Sequence, residues 1–378
     1  MIQHSLKQDL IAIIILAVCS IGLFFIPPAN RLAMQSGMRT RAVVTAVDNS
    51  DLQLHGLLKY GSQQLTVKVS EGKFNGETFY ASNDLLAQME VDKEFKVGDE
   101  IIVIINDNDK PMQGAVVAQD YDRSYYMWLL IGIFCAALGI FGSWTGIKAL
   151  LSFIFSCVVI WKGVIPLILR GYEPIWVCFF VVCLLTLVIQ FLVAGLNRKG
   201  VVAFLGAISG VLAGLCTAEI FTSLMRINGA VLPYAQAVYY SGYDFLNIQN
   251  VFVGAMILAS SGAVMDLAMD ISVGMYEVFY HKKDISRREL FKSGIQIGRS
   301  VVGTMTTTLL LAYSGGYITL LMLFYAQGVE PLAIMNNPLV ASEAVKTLIG
   351  SFSLVLVAPL TAIIGSQIFV STKKIRNN

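Results

Sequence analysis

The chain has 378 residues, of which 56% are hydrophobic and only 14% are charged. About a quarter of the residues in a soluble domain are usually charged, so the composition argues against a large soluble core and favours a bilayer protein. The formal net charge is only +2, so we expect no nucleic-acid partner.

Cysteine and histidine usage limits the chemistry further. All six cysteines lie in apolar segments and none lies in the polar segment near the N-terminus, so we expect no disulfide framework. The three histidines, His4, His55 and His281, lie outside the centres of the apolar segments. We therefore expect no histidine-based nucleophile, no metal site and no cofactor.

Eight apolar segments are predicted to cross the membrane, because a bilayer core of roughly 30 Å requires about 20 helical residues. The first could also be read as a cleaved signal peptide that follows Lys7. We favour an uncleaved anchor, because its apolar run continues to Ile26 and the bulky Val18 does not suit lipoprotein cleavage before Cys19. The third segment contains Pro166 and is expected to stop or kink there. The predicted spans are Leu10–Ile26, Tyr125–Phe141, Trp144–Leu169, Ile175–Gly195, Val201–Phe221, Ile248–Met269, Val301–Tyr325 and Leu348–Val370.

A polar segment between the first two spans predicts a small water-exposed domain rich in β-strands. Its alternating runs are Ala42–Val47, Gln64–Val69 and Glu100–Ile105. Asn75 and Gly76 predict a hairpin turn, because both residues tolerate positive φ. No catalytic grouping occurs in this domain, which is either a solvated accessory or a module that recognises a solute, a partner or cell-wall material. The predicted division is an anchor at 1–30, an extracytoplasmic β-rich domain at 31–122 and a membrane domain of about seven helices at 123–378.

The fold class predicted is therefore an all-α polytopic membrane bundle of about eight helices with a small extracytoplasmic β-rich domain. Lysine and arginine positions orient it, since cytoplasmic loops carry an excess of both. The long polar domain is a poor indicator of topology and is left out of the count. With the N-terminus inside, the basic residues of the short loops and termini collect on the cytoplasmic side, whereas the opposite short loops hold little more than Arg170, Arg226 and Lys346. An even number of spans puts both termini inside, on the cytoplasmic side. Basic residues predicted on that side include Lys7, Lys148, Arg198, Lys199, Lys282, Lys283, Arg287, Arg288, Lys292, Lys373, Lys374 and Arg376.

Glycine and acidic residues mark two of the spans. Gly206, Gly210 and Gly214 recur at four-residue spacing, which predicts a packing seam between helices. Asp266 and Asp270 also lie four apart and share one helical face. Because an ionisable group inside the membrane is costly, such a group is a candidate for ion or solute handling.

We favour a functional role for Asp266 over a buried structural ion pair, and the structural role for Asp270. Asp270 is expected to pair with Arg299, which opens the seventh span at a matching depth. This pairing would leave Asp266 without a basic partner nearby in the sequence.

Hydroxyl groups are predicted on one face of the seventh span. Ser300, Thr304, Thr307 and Thr308 fall at helical spacing, at the expected depth of Asp266. Threonine can also bond back to its own helix, which is the simpler interpretation. Four hydroxyls opposite an acid nevertheless favour a polar lining for a substrate or ion pathway.

The same span is interrupted by Gly315 and Gly316. A glycine break near the middle of a bilayer exposes backbone groups in discontinuous transporter helices, so these residues are assigned to the pathway. A kink without a binding site is an equally good interpretation of the pair.

Three stretches resemble the YibE/F-like family of multi-pass bacterial membrane proteins. They are Gly262–Met269, Ser293–Arg299 and Gly303–Tyr313, and the likeness extends from the β-rich domain to Thr361. The resemblance implies a polytopic protein of the bacterial plasma membrane and leaves the biochemical activity undefined.

The chain departs from this family pattern at three places. The family typically has aspartate where Ser300 follows Arg299, asparagine where Thr307 stands and serine where Asp270 stands. A role of the family's acid at position 300 therefore does not carry over, and Asp270 is expected to supply a carboxylate instead.

The leading functional hypothesis is a transporter or permease for an ion or small polar solute, with Asp266 as a proton-coupling group. The alternative is a non-transporting membrane scaffold whose outer domain binds a partner. An enzyme is not expected, because an intramembrane aspartyl protease needs acids on two facing helices. The sequence contains no ATP-binding motif, so this chain alone does not encode an ATP-driven pump. The lipid bilayer is the predicted partner, and a homo-oligomer or a paralogous membrane partner is compatible with this class.

Overall fold

The computed structural model describes residue 22 and residues 37–89, 91–106, 116–195 and 197–376. The chain divides into two compact units. One unit spans residues 30–137 and contains the β-strands, and the other contains residues 138–378 and most of the helices.

The first unit is built around a small β-barrel. Strand β1 pairs with β3 and β5, β3 pairs with β4, and β5 pairs with β6. A single parallel pairing between β4 and β6 closes the ring, and β2 adds to the edge at β3. This five-stranded Greek-key barrel has the architecture of an OB-fold. The strands are β1 Met38–Asp48, β2 Gln53–His55, β3 Leu58–Val69, β4 Thr78–Leu86, β5 Glu100–Ile105 and β6 Val116–Tyr121.

Every second residue of the strands contributes to the barrel core, because successive side chains of a strand point to opposite faces. In β3 the buried Leu65, Val67 and Val69 alternate with more exposed polar neighbours. One polar side chain, Gln63, is also completely buried, and it bonds to both backbone groups of Phe95. The barrel therefore has its own hydrophobic core, with a hydrogen-bonded amide at one end.

The three predicted strand runs lie within β1, β3 and β5, and a small β-barrel is the observed fold of this domain. The predicted two-residue turn is wrong in detail. Residues 70–77 connect β3 to β4, and only Gly76 of the predicted pair has positive φ, at 88°. The longer connection closes through the bond from the Gly76 N–H to the Val69 carbonyl, 2.9 Å.

The remainder of the chain is helical. Helix α1 leads through a π-helical turn at Ile160–Val164 into α2, where Pro166 lacks the N–H that a regular α-helix needs. The helices are α1 Ser124–Val159, α2 Ile165–Leu169, α3 Pro174–Ala194, α4 Arg198–Leu224, α5 Ala235–Tyr240, α6 Ile248–His281, α7 Arg287–Gly315, α8 Ile318–Gln327, α9 Pro331–Asn336 and α10 Pro338–Arg376.

Five helical segments among the described residues are long and apolar enough to cross a membrane, or six if the bent pair α7 and α8 forms one span. Several such helices identify a membrane protein, but the count is lower than the predicted eight. The predicted span Leu10–Ile26 lies outside the described residues except for residue 22. The predicted spans Tyr125–Phe141 and Trp144–Leu169 fall in one 46-residue helical segment, Ser124–Leu169.

That segment is broken between the two predicted spans. Ser143 has φ of 47° and ψ of −128°, which no α-helix accommodates. The chain folds back so closely that a Cβ atom on Gly146 would lie 2.2 Å from the carbonyl oxygen of Leu138. Gly146 is therefore required by this bend, which joins two helical arms.

Helix α6 is the centre of the membrane domain and packs against α3, α4, α7 and α10. The glycine stripe of α4 lies against α10. A Cβ atom on Gly206 would meet Thr361, one on Gly210 would meet Val357, and one on Gly214 would meet Ser353. The absence of side chains lets these two helices approach closely over three turns.

Candidate functional site in the membrane domain

A break divides α7 from α8 at Gly315 and Gly316, and the axes of the two helices differ by 67°. The N–H of Tyr317 donates to the Ser314 carbonyl at 3.1 Å, so the chain tightens into a turn before α8 begins. Each glycine weakens a helix by about 1 kcal/mol relative to alanine. A helix end inside a membrane also leaves backbone carbonyls without partners in the helix. The break is thus a source of polar backbone groups.

An ion pair lies beside this break. Glu343 and Lys346, one turn apart on α10, form an ion pair whose side chains are only 12% and 18% exposed. The Lys346 ammonium lies 5.3 Å from the ring centroid of Phe252 on α6, a favourable cation–π distance. The phenol of Tyr317 faces the Glu343 carboxylate. Residues from α6, α10 and the break therefore surround one pair of opposite charges.

A pocket of about 310 Å³ opens between α7, α8 and α10 at the same place. Its polar lining comes from Tyr313, Ser314, Tyr317, Glu343 and Thr347, and its other walls are aliphatic. Its accessible surface is almost entirely apolar, so the pocket suits an apolar group, and the polar side chains lie largely covered in its wall.

Sequence reasoning missed Glu343 as a site residue and treated Lys346 as part of a short outer loop, because the last span was predicted to begin at Leu348. The observed helix begins ten residues earlier, at Pro338. The available signal was the helical spacing of Glu343 and Lys346 after a proline, which is common at the first position of a helix.

The predicted acids of α6, Asp266 and Asp270, lie in the middle of the helix and one turn further on, whereas Phe252 lies close to its start. Asp266 and Asp270 belong to an exposed stripe together with Ala255, Ala259 and Gly262. The remaining faces of α6 are covered by neighbouring helices. Because charged side chains avoid lipid, this stripe is suited to a water-filled cavity or to a covering partner.

Helices α6 and α7 run antiparallel in this region. A Cβ on Gly274 would lie 2.9 Å from Ile297, and one on Gly298 would lie 3.3 Å from Ile271. Extending this register by about one and a half turns sets Asp266 level with Thr304. The structure thus places the acid and the hydroxyl face of α7 at one depth.

The predicted hydroxyl face of α7 is exposed, and each of its hydroxyl groups bonds to its own helix. Ser300 donates to the Ile297 carbonyl at 2.7 Å, and Thr304 donates to the Val301 carbonyl at 2.9 Å. Thr307 and Thr308 make equivalent bonds at 3.0 Å. The donors are therefore used locally, while the hydroxyl oxygens can still accept a bond from a solute or bind a cation.

The predicted ion pair between Asp270 and Arg299 does not form in this structure. Both side chains are exposed, and no ion pair joins them in the described part of the chain. Arg299 precedes Ser300 on α7, so its side chain leaves the helix about 100° away from the hydroxyl face. Within the described ranges, no group of three or more histidine, cysteine or acidic residues is arranged to hold a metal.

The unit of residues 30–137 contains a separate pocket of about 420 Å³, lined in part by Tyr125 and Trp128 at the start of α1. Arg41 bonds to Asp122 at 2.6 Å and to Glu71 at 2.8 Å. Hydrogen bonds from Ser124, followed by the charge of Arg41, lower the pKa of the Asp122 carboxyl. The pocket is therefore rich in paired charges.

These features define a class, namely a multi-pass membrane protein with an N-terminal β-barrel, a broken span and charged groups within its helical domain. Residues 38–119 match the YibE/F family N-terminal domain, and residues 130–371 match the YibE/F-like protein family. The chain belongs to the YibE/F-like family. No curated protein and no solved structure matches the chain.

Proposed function

We propose that this protein is a transporter or permease for an ion or a small polar solute. The observation that carries the proposal is the break between α7 and α8, which lies beside the largely buried pair of Glu343 and Lys346. Discontinuous helices with charged groups nearby are a recurring way to bind solutes inside a bilayer. Apolar residues of similar size often stabilise a helix contact as well as a buried ion pair does, so the presence of this pair supports a role beyond packing.

The second element of the pathway is the face shared by α6 and α7. Asp266 supplies a carboxylate level with Thr304, and no described residue forms an ion pair with it. A carboxylate without a cationic partner can bind and release a proton or a cation during a transport cycle. Asp266 is therefore assigned the coupling role, and Glu343 and Lys346 the solute-binding role.

The proposed location is the plasma membrane. The proposed orientation follows from the excess of lysine and arginine on one side, and it puts both termini in the cytoplasm and the β-barrel outside. Lys282 and Lys283 follow directly after α6, and Arg287 and Arg288 open α7. Clusters of this kind favour the cytoplasmic side.

Solid-supported-membrane electrometry on proteoliposomes tests transport. The probes are concentration jumps of NaCl, KCl, NH4Cl and sodium glutamate at pH 6 and pH 8. We expect a transient current for at least one probe, absent from protein-free liposomes. Asp266→Asn and Glu343→Gln should each reduce it about tenfold or more, whereas Glu277→Gln should not. Glu277 is the matched control, because it pairs with Lys199 at 3.2 Å on an exposed surface.

Loss of the partner charge could also unfold the protein, since an unpaired buried charge costs about 3–5 kcal/mol. The double variant Glu343→Gln, Lys346→Met removes both charges and should keep the wild-type Tm while losing the current. A current that survives in this double variant would refute the binding role of the pair. Absence of any current from folded wild-type protein in both orientations would count against transport.

A scaffold function is the second candidate, and the pocket beside Arg41 and Trp128 favours it. In that case the barrel recognises a partner and the helices serve as its anchor. Arg41→Ala would then abolish the cellular phenotype of the protein, and Glu343→Gln would leave it intact.

A further inference from the structure

Two buried polar side chains in α3 have unpaired oxygen atoms. Thr186 is 0% exposed and Gln190 is 2% exposed, yet the Thr186 hydroxyl and the Gln190 carbonyl oxygen have no hydrogen-bond partner. The residues lie four apart and so share one face of α3. Buried polar atoms without partners are rare in folded proteins, and each usually marks a bound water or ion.

Three buried hydroxyls in the described part of the membrane domain have no partner, those of Thr186, Thr222 and Thr361. Others, such as those of Thr217, Thr304 and Thr308, donate to a carbonyl of their own helix. Among the three, Thr186 is distinguished because it shares its helix face with a second unpaired oxygen, that of Gln190.

The orientation of the Gln190 amide is fixed by a contact with α6. Its nitrogen donates to the Met265 carbonyl at 3.4 Å, and a flipped amide would instead bring two acceptors together. The amide oxygen consequently points away from that bond as an acceptor, and an amide oxygen can be satisfied only by a donor or a cation.

A third oxygen lies at the same level on α6. Cys178 approaches Gly254 and Gln190 bonds to Met265, so α3 and α6 run parallel in this register. The register sets Thr186 level with Ser261, which is 4% exposed. Ser261 donates its proton to the Leu258 carbonyl at 2.8 Å, which leaves its oxygen free to accept.

We propose that Thr186, Gln190 and Ser261 form a binding site for a monovalent metal cation between α3 and α6. Hydroxyl and amide oxygens are hard donors suited to such a cation, while the absence of a carboxylate from the set disfavours Ca²⁺ and Mg²⁺. Asp266 follows Met265 directly, but its side chain belongs to the exposed stripe of α6, so the proposed ligands are the three oxygens alone. A bound water is the alternative occupant, and the salt dependence of stability distinguishes it from a cation.

The cation would be the coupling ion of the transporter, and in this respect the inference rests on the proposed function. Binding is nevertheless measurable without flux. A cation that binds only the folded protein stabilises it by an amount that grows with the logarithm of one plus its concentration over Kd. At about ten times Kd the Tm should rise by about 3 °C.

The experiment compares the Tm of the purified full-length protein in NaCl, KCl and N-methylglucamine chloride at equal ionic strength. We expect a higher Tm in NaCl or KCl than in N-methylglucamine chloride, with a difference that increases with the logarithm of the cation concentration above Kd. Thr186→Val should abolish the rise, and it should increase the Tm in N-methylglucamine because a buried unpaired hydroxyl is removed. Thr186→Ser keeps the oxygen and should retain the response.

Thr361→Val is the matched control, because Thr361 is also fully buried and unpaired but lies on α10 against Gly206. This variant should respond to the cation as the wild type does. Equal Tm values in all three salts, or a response that Thr186→Val retains, would show that water fills the space and would overturn the inference. A rise in Tm with the cation but no transport current would support the cation site and reject only the transport proposal.

Discussion

The buried amide of the barrel allows a stability prediction to be worked from individual bonds. Gln63 donates to Asn49 at 2.8 Å and to the Phe95 carbonyl at 2.9 Å, and it accepts from Phe95 and from Asn83, each at 3.0 Å. Gln63→Leu keeps the size of the side chain and removes all four bonds. It leaves the N–H and the carbonyl of Phe95 buried without partners, since Phe95 is 1% exposed.

Each buried group left unpaired costs about 1–3 kcal/mol, so the two backbone groups of Phe95 together cost about 2–6 kcal/mol. The lost Asn83 bond adds about 1 kcal/mol. Burial of the leucine side chain in place of the amide stabilises the folded state by about 2 kcal/mol. We therefore expect Gln63→Leu to lower the free energy of unfolding by about 3 kcal/mol, which corresponds to a Tm lower by about 12 °C or more for a domain of this size.

The assay is urea unfolding of residues 37–123 expressed alone, followed by circular dichroism, since this segment has its own core and should fold with a β-rich spectrum. The neighbouring variant Gln64→Leu is the control, because Gln64 is exposed and its change should stay within about 0.5 kcal/mol. If the free energy of unfolding of Gln63→Leu lies within about 1 kcal/mol of that of Gln64→Leu, the hydrogen bonds of the Gln63 amide do not stabilise the barrel by the expected amount.

Two further predictions concern orientation and acid stability. Single cysteines at Asn75 and at Lys283, in a chain without its native cysteines, should label from opposite sides of the membrane. Labelling of Lys283→Cys in intact cells by an impermeant reagent would contradict the proposed orientation. Because the pKa of Asp122 is lowered in the folded state, its contribution to stability is complete above the pKa of the unfolded chain, about 4, and is lost as pH falls through the folded value. In a barrel fragment that retains Ser124, Asp122→Asn should therefore flatten the decline in stability below about pH 4, and an unchanged decline beside the charge-matched control Asp84→Asn would reject this assignment.

The elements with strong periodic or length signals were predictable from sequence. The apolar runs in α3, α4 and α6 are long and uninterrupted, and strands β1, β3 and β5 alternate clearly. Strand β4 was missed because Asn83, a buried position, is polar and replaces the hydrophobic residue that a period-two pattern requires. Its burial depends on Gln63, twenty residues away in sequence, which no local pattern encodes.

The candidate site also contains features that the sequence predicts and features that it does not. The break at Gly315 and Gly316 was predictable, because glycine acts on local backbone geometry. The pair of Glu343 and Lys346 was not, since two charges near the end of an apolar run look like a loop until the helix that contains them is known. Thr186 and Gln190 gave no signal either, because an unpaired oxygen is a property of its three-dimensional surroundings.

The short junction between the barrel and α1 has a mechanical consequence. Strand β6 ends at Tyr121 and α1 begins at Ser124. Asp122, which lies between them, bonds to the barrel through the Glu100 carbonyl and Arg41, and to α1 through the Ser124 N–H. Two linking residues with all of these bonds have little freedom to reorient, so torque applied to the barrel by a bound object would pass into the first turn of α1 and would not be absorbed by the junction.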